Sequence, residues 1–388
     1  MQAALLVAAL RRQAEIKGYS LEITALGGPQ TAAAGAQLLG DTTAIGAVGI
    51  WESLPYFIPT LQMQARVRRY LQENPVDVAI LIDYMGPNIG IGNLIKGRFP
   101  EIPIIYYIAP QEWVWSMGSR NTNQIVNFSD RILAIFPQEA RYFAAKGAKV
   151  TWVGHPLIDR ITAYPSRHQA RENLGIATEE IAIALLPASR QQEIRYLMPI
   201  IFQAAATLQA QFPLVRFWIP LSLEKYRADI ERGILQYNLR ASLVENKTDV
   251  LAGADLAIAK SGTVNLELAL LEVPQVVVYR VSQITALVAR HLLHFSIPFM
   301  APPNLVQMKE IVPELLQDEV TPEAIFNQVI QLFPNSTKRE QMLTEYRQMR
   351  QVLGVKGAGD RAAIEILNAG KIWGIRGQFM QIIRVYVG

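Results

Sequence analysis

The sequence predicts an α/β protein of two Rossmann-like domains whose parallel sheets face each other across a cleft. Three observations carry that prediction. Short β-branched apolar runs alternate with stretches of helical period. The alternation halts at a Gly- and Pro-punctuated stretch and then starts again. With 388 residues, the chain is also too long for one ordinary core. Strands that read as continuous apolar runs between helices belong to parallel sheets covered on both faces.

The elements follow in order. MQAALLVAALRRQAEIKGYS (1–20) has the period of an amphipathic helix, and its basic residues follow the apolar run, which is not the order of a signal peptide. Strands are predicted over LEITAL (21–26), VDVAILI (76–82), IPIIYYI (102–108), RILAIF (131–136) and KVTWVG (149–154), with helices over 58–73, 88–97 and 137–146. GHPLIDRITAYPSR (154–167) reads as a linker. A second series follows: IAIALLP (181–187), VRFWIP (215–220), SLVE (242–245), DLAIA (255–259) and QVVVY (275–279). The last hundred residues read as mostly helical. The predicted domains are 1–154 and 155–352, with a C-terminal helix and tail over 353–388 that packs back or is exchanged in a dimer.

Composition excludes several chemistries. Cysteine is absent, which removes disulfides, thiolate nucleophiles and Cys-ligated metals. The net charge of +4 comes from scattered Lys and Arg, so nucleic acid is not a predicted partner. That mild excess fits attraction to anionic phospholipid or a phosphorylated substrate. No run of 18 or more apolar residues occurs, so no membrane span is predicted.

Ligands of open parallel sheets sit at the carboxyl ends of the strands, so chemistry is sought in the loops that follow them. After IAIALLP, the turn ASRQQEIRYL (188–197) brings Ser189 and Arg190 to a helix start, where backbone N–H groups and a guanidinium suit a phosphate. The plainer alternative is that Ser189 caps the helix and Arg190 pairs with Glu193. In AIAKSGTVNLELALLEVPQVVVYR (257–280), Ser261 follows a strand, Gly262 lets a ligand approach the backbone, and Thr263 begins a helix. Glu267, one turn on, is placed to accept ribose hydroxyls. The alternative is a Ser/Thr cap with Glu267 on a solvated face, although a glutamate within LELALL is badly placed for solvent. Together the two loops suggest a site for the nucleotide of an activated sugar. MAPPNLV (300–306) offers Asn304 as a further contact, or is simply a Pro-locked loop.

In the first half, AILIDYMGPNIG (79–90) puts Asp83 at a strand's end and Asn88 at a helix start. A carboxylate there is a sensible general base for a sugar hydroxyl, and equally an ordinary turn residue. YIAPQEWVWSMGSR (107–120) sets Trp113 and Trp115 after another strand, as pocket wall or as packing. His155 reads as a hinge or cap. His291 and His294 share a helix face without a third ligand, so no metal site is predicted. No Asp-x-Asp occurs. A leaving diphosphate would then be stabilised by Arg190 and helix termini, with no metal or other cofactor.

These residues together resemble lipid-A-disaccharide synthase, a bacterial glycosyltransferase of the two-Rossmann-domain (GT-B) kind. The matching segments are LGGPQTAAAG, AIGAVGIWESLP, IDYMGPN, YIAPQEWVW, VGHPLIDR, LLPASRQQEI, KSGTVNLELALLEVPQVVVYR and PPNLV, in the family's order, and GAGDRAAIEIL fits its C-terminal helix. The resemblance implies an inverting transfer of 2,3-diacylglucosamine from its UDP derivative onto the 6-hydroxyl of 2,3-diacylglucosamine 1-phosphate. It also implies metal independence, attachment to the inner face of the cytoplasmic membrane, and dimers with exchanged C-terminal segments. Asp83 matches the carboxylate proposed as base, and Arg190, Ser261, Thr263, Glu267 and Asn304 match UDP-side positions. For the acyl chains, IWESLPYFIPTLQMQARVRRYL (50–71) supplies Trp51 and other apolar residues, then Arg66, Arg68 and Arg69 for headgroups. Its alternative is a helix packed on the first sheet.

Three departures stand out. The family opens with a strand and a Gly-Glu-x-Ser-Gly-Asp loop, whereas this sequence starts inside the following helix. The expectation is an upstream start codon, and without those residues a damaged acceptor side and an unpaired neighbour in the sheet. Gly86 stands where many members carry a second Asp, and the first basic residue of WSMGSR is displaced to Arg120. Two other functions fit the second half as well: another UDP-sugar enzyme of the same fold, such as an epimerase, and a shortened homologue that binds UDP without turnover.

Overall fold

The computed structural model describes residues 2–42, 57–115, 119–188, 191–280, 299–372 and 382–387. The chain divides into two compact units, residues 1–159 with 353–388, and residues 160–352.

The first unit holds strands β1 (Ser20–Gly27), β2 (Gln37–Asp41), β3 (Val78–Ile82), β4 (Ile104–Tyr107), β5 (Arg131–Ala134) and β6 (Val150–Trp152). The second holds β7 (Ile181–Leu186), β8 (Val215–Pro220), β9 (Ala241–Val244), β10 (Leu256–Lys260), β11 (Gln275–Tyr279) and β12 (Glu314–Leu316). A last strand, β13 (Ile382–Val387), returns to the first sheet. The sheet orders are β2-β1-β13-β3-β4-β5-β6 and β12-β11-β10-β7-β8-β9, and every neighbouring pair is parallel. β3, β4 and the body of β7 are buried throughout, as their unbroken apolar runs require.

β13 corrects the expectation of an unpaired neighbour in the first sheet. It lies between β1 and β3, with Ser20 opposite Ile382, Ala25 opposite Val387, and Val387 opposite Ile80 on the other side. The N–H and C=O groups that β1 and β3 turn toward each other therefore have a partner strand. β13 lies within the 353–388 segment predicted as a helix and tail. Helix Ala358–Ile372 packs back on helix Gln2–Ile16 of the same chain, with an Arg12–Asp360 ion pair at 2.7 Å.

Helix Gln2–Ile16 buries Leu6, Val7, Leu10 and Ala14, a helical stripe, and ends at Gly18 in the left-handed conformation. Helix Phe57–Glu73 serves two surfaces. Val67 and Leu71, one turn apart, are buried in the first core, while Leu61, Arg66, Arg68 and Arg69 are exposed. The second core gathers Ala184, Trp218, Leu251, Ala257 and Leu268. Among the described residues, no helix is long and apolar enough to cross a membrane.

Candidate active site

In the first unit, the carboxyl end of β3 turns sharply. Asp83 has a φ of 58°, a left-handed conformation that Asp tolerates better than most side chains. Its N–H donates to the carbonyls of Ile108 (3.1 Å) and Tyr107 (3.3 Å), and the Tyr106 hydroxyl donates to its carbonyl at 3.0 Å. The buried Asn88 side chain donates to the Ile82 carbonyl at 2.9 Å, which fixes the start of helix Met85–Arg98. The chain thus locks Asp83 through its backbone.

The Asp83 carboxylate stands at a cavity of about 390 Å³, lined by Leu26, Thr31, Met63, Ile82 and Asn88 among others. Desolvation against these walls raises the Asp83 carboxyl above its ordinary range. A carboxylate with a raised pKa is the stronger proton acceptor.

Behind this site Glu139 joins two strand ends. It is fully buried and accepts N–H bonds from Ala109 (3.1 Å) after β4 and from Ile135 (2.9 Å) and Phe136 (3.2 Å) after β5. Burial pushes it up to about 8, against the pull of those donors. For Trp113 the structure shows packing. This residue does not line the Asp83 cavity; its ring packs on Phe136 at 5.7 Å, and Phe136 packs on His155 at 5.1 Å. His155 is a cap: buried, it accepts the Leu157 N–H on Nδ1 at 3.1 Å, at the start of helix Leu157–Ile161. Burial lowers its pKa to about 4, so it is neutral at neutral pH.

In the second unit, β10 runs into Ser261-Gly262-Thr263 and then helix Val264–Leu270. Ser261 donates its hydroxyl to the Met300 carbonyl at 2.7 Å, which ties the turn to the segment before helix Pro302–Gln307. The Gly262 N–H donates to Asn265 Oδ1 (2.7 Å), Asn265 donates to Gln275 Oε1 (2.9 Å), and Gln275 donates to the Tyr346 hydroxyl (3.1 Å). This buried amide chain sets the turn's shape. A Cβ built on Gly262 meets nothing nearer than Lys260 Nζ at 3.4 Å, so a ligand can approach that backbone. Thr263 is exposed at the head of the helix and makes no side-chain cap bond.

Glu267 is 1% exposed, in contrast to the solvated alternative. Its Oε1 meets Arg160 Nη1 at 3.1 Å and accepts from the Tyr164 hydroxyl at 3.1 Å, while Oε2 pairs with Lys247. Removing a carboxylate from water costs several kcal/mol, and here two cations and a hydroxyl offset that cost.

Asn304 makes loop contacts of its own. It is fully buried; its Oδ1 accepts from Ile311 (2.8 Å) and Val312 (2.9 Å), and its Nδ2 donates to the Val312 carbonyl (2.9 Å) and Glu314 Oε1 (2.6 Å). Both amide hydrogens and both lone pairs are used, so Asn304 folds the loop. Glu314 shares that task through the N–H groups of Met300 (2.7 Å) and Ala301 (2.9 Å).

Trp51, Ser189, Arg190, His291 and His294 lie outside the described residues, as does the Trp115 side chain. The second unit thus brings Ser261, Gly262, Thr263 and Glu267 to one strand end, and the first brings Asp83 and Asn88 to another. Sequence reasoning missed Arg160, Tyr164, Lys247, Asn265 and Glu314. The available signal was the charge of Glu267 and Glu314 inside apolar runs, which demands buried partners.

Solved structures share the fold at low identity. One is the UDP-GlcNAc 2-epimerase from Neisseria meningitidis bound to UDP-GlcNAc, with a TM-score of 0.60, 11% identity and coverage of 95% of this chain and 97% of that one. Another is CalG4, the calicheamicin glycosyltransferase, with a TM-score of 0.56, 16% identity and coverage of 95% and 94%. These likenesses show the GT-B fold and nothing of substrate. Sequence relatives are much nearer. Proteins named lipid-A-disaccharide synthase from Gloeothece citriformis and Synechocystis sp. are each 51% identical, over 95% of this chain and 96% and 94% of their own lengths. One from Prochlorococcus marinus is 48% identical over 96% of both chains. The family model for lipid-A-disaccharide synthetase matches residues 1–364. The chain belongs to the lipid-A-disaccharide synthetase family, the glycosyltransferases of lipid A biosynthesis.

Proposed function

We propose that this enzyme transfers 2,3-diacylglucosamine from UDP-2,3-diacylglucosamine to the 6-hydroxyl of 2,3-diacylglucosamine 1-phosphate. The products are the β-1,6-linked disaccharide 1-phosphate and UDP. Asp83 takes the proton from the acceptor hydroxyl as its oxygen attacks the anomeric carbon and the UDP oxygen leaves. One such displacement inverts the anomeric centre. The donor's nucleotide binds the Ser261-Gly262-Thr263 turn, with Glu267 at the ribose and Arg190 and Ser189 at the diphosphate.

The observation that carries this reading is Asp83 itself. A carboxylate raised above its usual range stands at a largely apolar cavity of about 390 Å³. That volume falls within the roughly 300–1,000 Å³ of small-molecule sites, and its walls suit an acyl chain beside a reacting hydroxyl. Helix Phe57–Glu73 adds the lipid side. Leu61 is 49% exposed, and Arg66, Arg68 and Arg69 are exposed near it, a surface suited to an anionic bilayer on the cytoplasmic face.

A transfer assay with radiolabelled acceptor and UDP-2,3-diacylglucosamine tests the reaction. The expected result is a labelled disaccharide with one UDP released per bond. Absence of that product, or conversion of UDP-N-acetylglucosamine with no acceptor present, overturns it. Co-sedimentation with anionic vesicles tests the lipid surface, and binding that ignores vesicle charge removes that part.

A further inference from the structure

Glu267 is held asymmetrically, and this bears on how it meets a ribose. Its Oε1 carries two partners, the Arg160 guanidinium and the Tyr164 hydroxyl, both at 3.1 Å. Its Oε2 carries one, the Lys247 ammonium. Oε2 thus carries fewer partners than Oε1.

The partners also differ in rigidity. Arg160 and Tyr164 flank the end of helix Leu157–Ile161, where the Tyr164 N–H donates to the Ile161 carbonyl at 3.1 Å. The guanidinium lies over the Tyr164 ring at 6.0 Å, and the ring packs against the second core. Lys247, at the first position of helix Lys247–Gly253, has a side chain 39% exposed, against 26% for Arg160. Oε1 is thus gripped by a stacked, core-anchored pair and Oε2 by a flexible, solvent-reaching cation.

We propose that Tyr164 and Arg160 are positioning residues for the donor nucleotide: they fix Glu267 by Oε1 so that Oε2 alone faces a sugar hydroxyl. This inference rests on the reading of Glu267 as the ribose contact. It goes beyond that reading by naming the residues that set the carboxylate's orientation and the oxygen that binds.

Calorimetric titration of the full chain with UDP and with 2′,3′-dideoxy-UDP provides the test. Wild type is expected to prefer UDP by on the order of 30-fold, the value of a hydrogen bond to a charged acceptor. Tyr164→Phe removes one hydroxyl from a ring whose packing is unchanged. It should cut that preference to about threefold by weakening UDP, with dideoxy-UDP affinity unchanged within twofold. Arg160→Lys, which keeps the charge and loses the stacked fork, should act in the same direction and serves if the first variant unfolds. An unchanged preference, or equal weakening of both nucleotides, overturns the positioning role alone. A wild type that binds UDP without discriminating, or does not bind it, overturns the Glu267 reading and this inference with it.

Discussion

Asp83 and Ile108 end neighbouring strands in the same left-handed conformation, with φ 58° at each, and the Asp83 N–H donates to the Ile108 carbonyl at 3.1 Å. For a β-branched residue this is a true backbone outlier, and such strain costs of order 1–3 kcal/mol. It falls at the carboxyl edge of the first sheet, beside the cavity that Asp83 lines.

Asp83→Asn separates chemistry from strain. Asn tolerates the left-handed backbone as well as Asp does and has no charge to desolvate, so urea unfolding at neutral pH should show no loss of stability. The rate constant for transfer should fall by about 10²–10⁴, the usual worth of a general base. Asp83→Ala should lose the same rate and, in addition, about 1 kcal/mol of stability, because Ala disfavours this conformation. In wild type, the acid limb of the kcat/KM profile should lie above the ordinary Asp value of 3.8, because the carboxyl is raised and only its ionised form accepts the proton.

Glu267→Gln should destabilise the second unit by about 3 kcal/mol, because Arg160 and Lys247 lose their shared counter-charge at a buried position. Lys247→Met should cost less, about 1 kcal/mol, because its side chain reaches solvent. Urea unfolding of the two variants checks the order, and equal losses would contradict the asymmetry of the site.

Asn304→Ala leaves the Ile311 and Val312 N–H groups without an acceptor inside the protein. A loss of about 2–4 kcal/mol is expected in urea unfolding. Asn304→Asp keeps the acceptor but sets a second carboxylate against Glu314, now 2.6 Å from the amide, and should be no milder. A variant that unfolds like wild type but fails to bind UDP would return Asn304 to the ligand.

His155 gives a pH signature. Its pKa falls from 6.5 to about 4 on folding, so between those values the unfolded chain binds the extra proton. Its contribution to stability is present above pH 6.5 and lost as pH falls toward 4, a difference of about 3 kcal/mol. Glu139 has the opposite sign: raised from 4.5 to about 8, it favours the folded state more as pH falls through that range. The wild-type profile alone mixes the two. The difference between wild type and His155→Asn, which keeps an acceptor for Leu157, isolates the histidine.

How much of this was legible in the sequence differs by residue. IAIALL and VAILI announce buried parallel strands because both faces are covered, and the structure has β7 and β3 there. IIRVYV is also strand-like, yet its place was not legible. Its neighbours, β1 and β3, lie at the other end of the chain, and parallel pairing leaves no local mark. Glu267 drew notice because apolar residues surround it, and Leu266, Leu268 and Leu270 are indeed buried with it. Its partners did not, because Arg160 and Tyr164 sit in a stretch whose composition says only linker. The loop bonds of Asn304 were hidden for a related reason. An asparagine after two prolines looks available to a ligand, and only the fold reveals that four bonds to 311–314 use it up.

The position of β13 bears on how the protein is made. β1 and β3 are synthesised early, and the strand that joins them follows all six strands of the other sheet. At roughly 5–20 residues per second, a ribosome needs on the order of 15–60 s to cover that interval. Until then β1 and β3 are without the β13 that pairs with both, so the later-encoded unit can mature first, the reverse of the usual vectorial order. Nascent chains arrested just before residue 382 should therefore show a protease-resistant second unit beside a digestible first one.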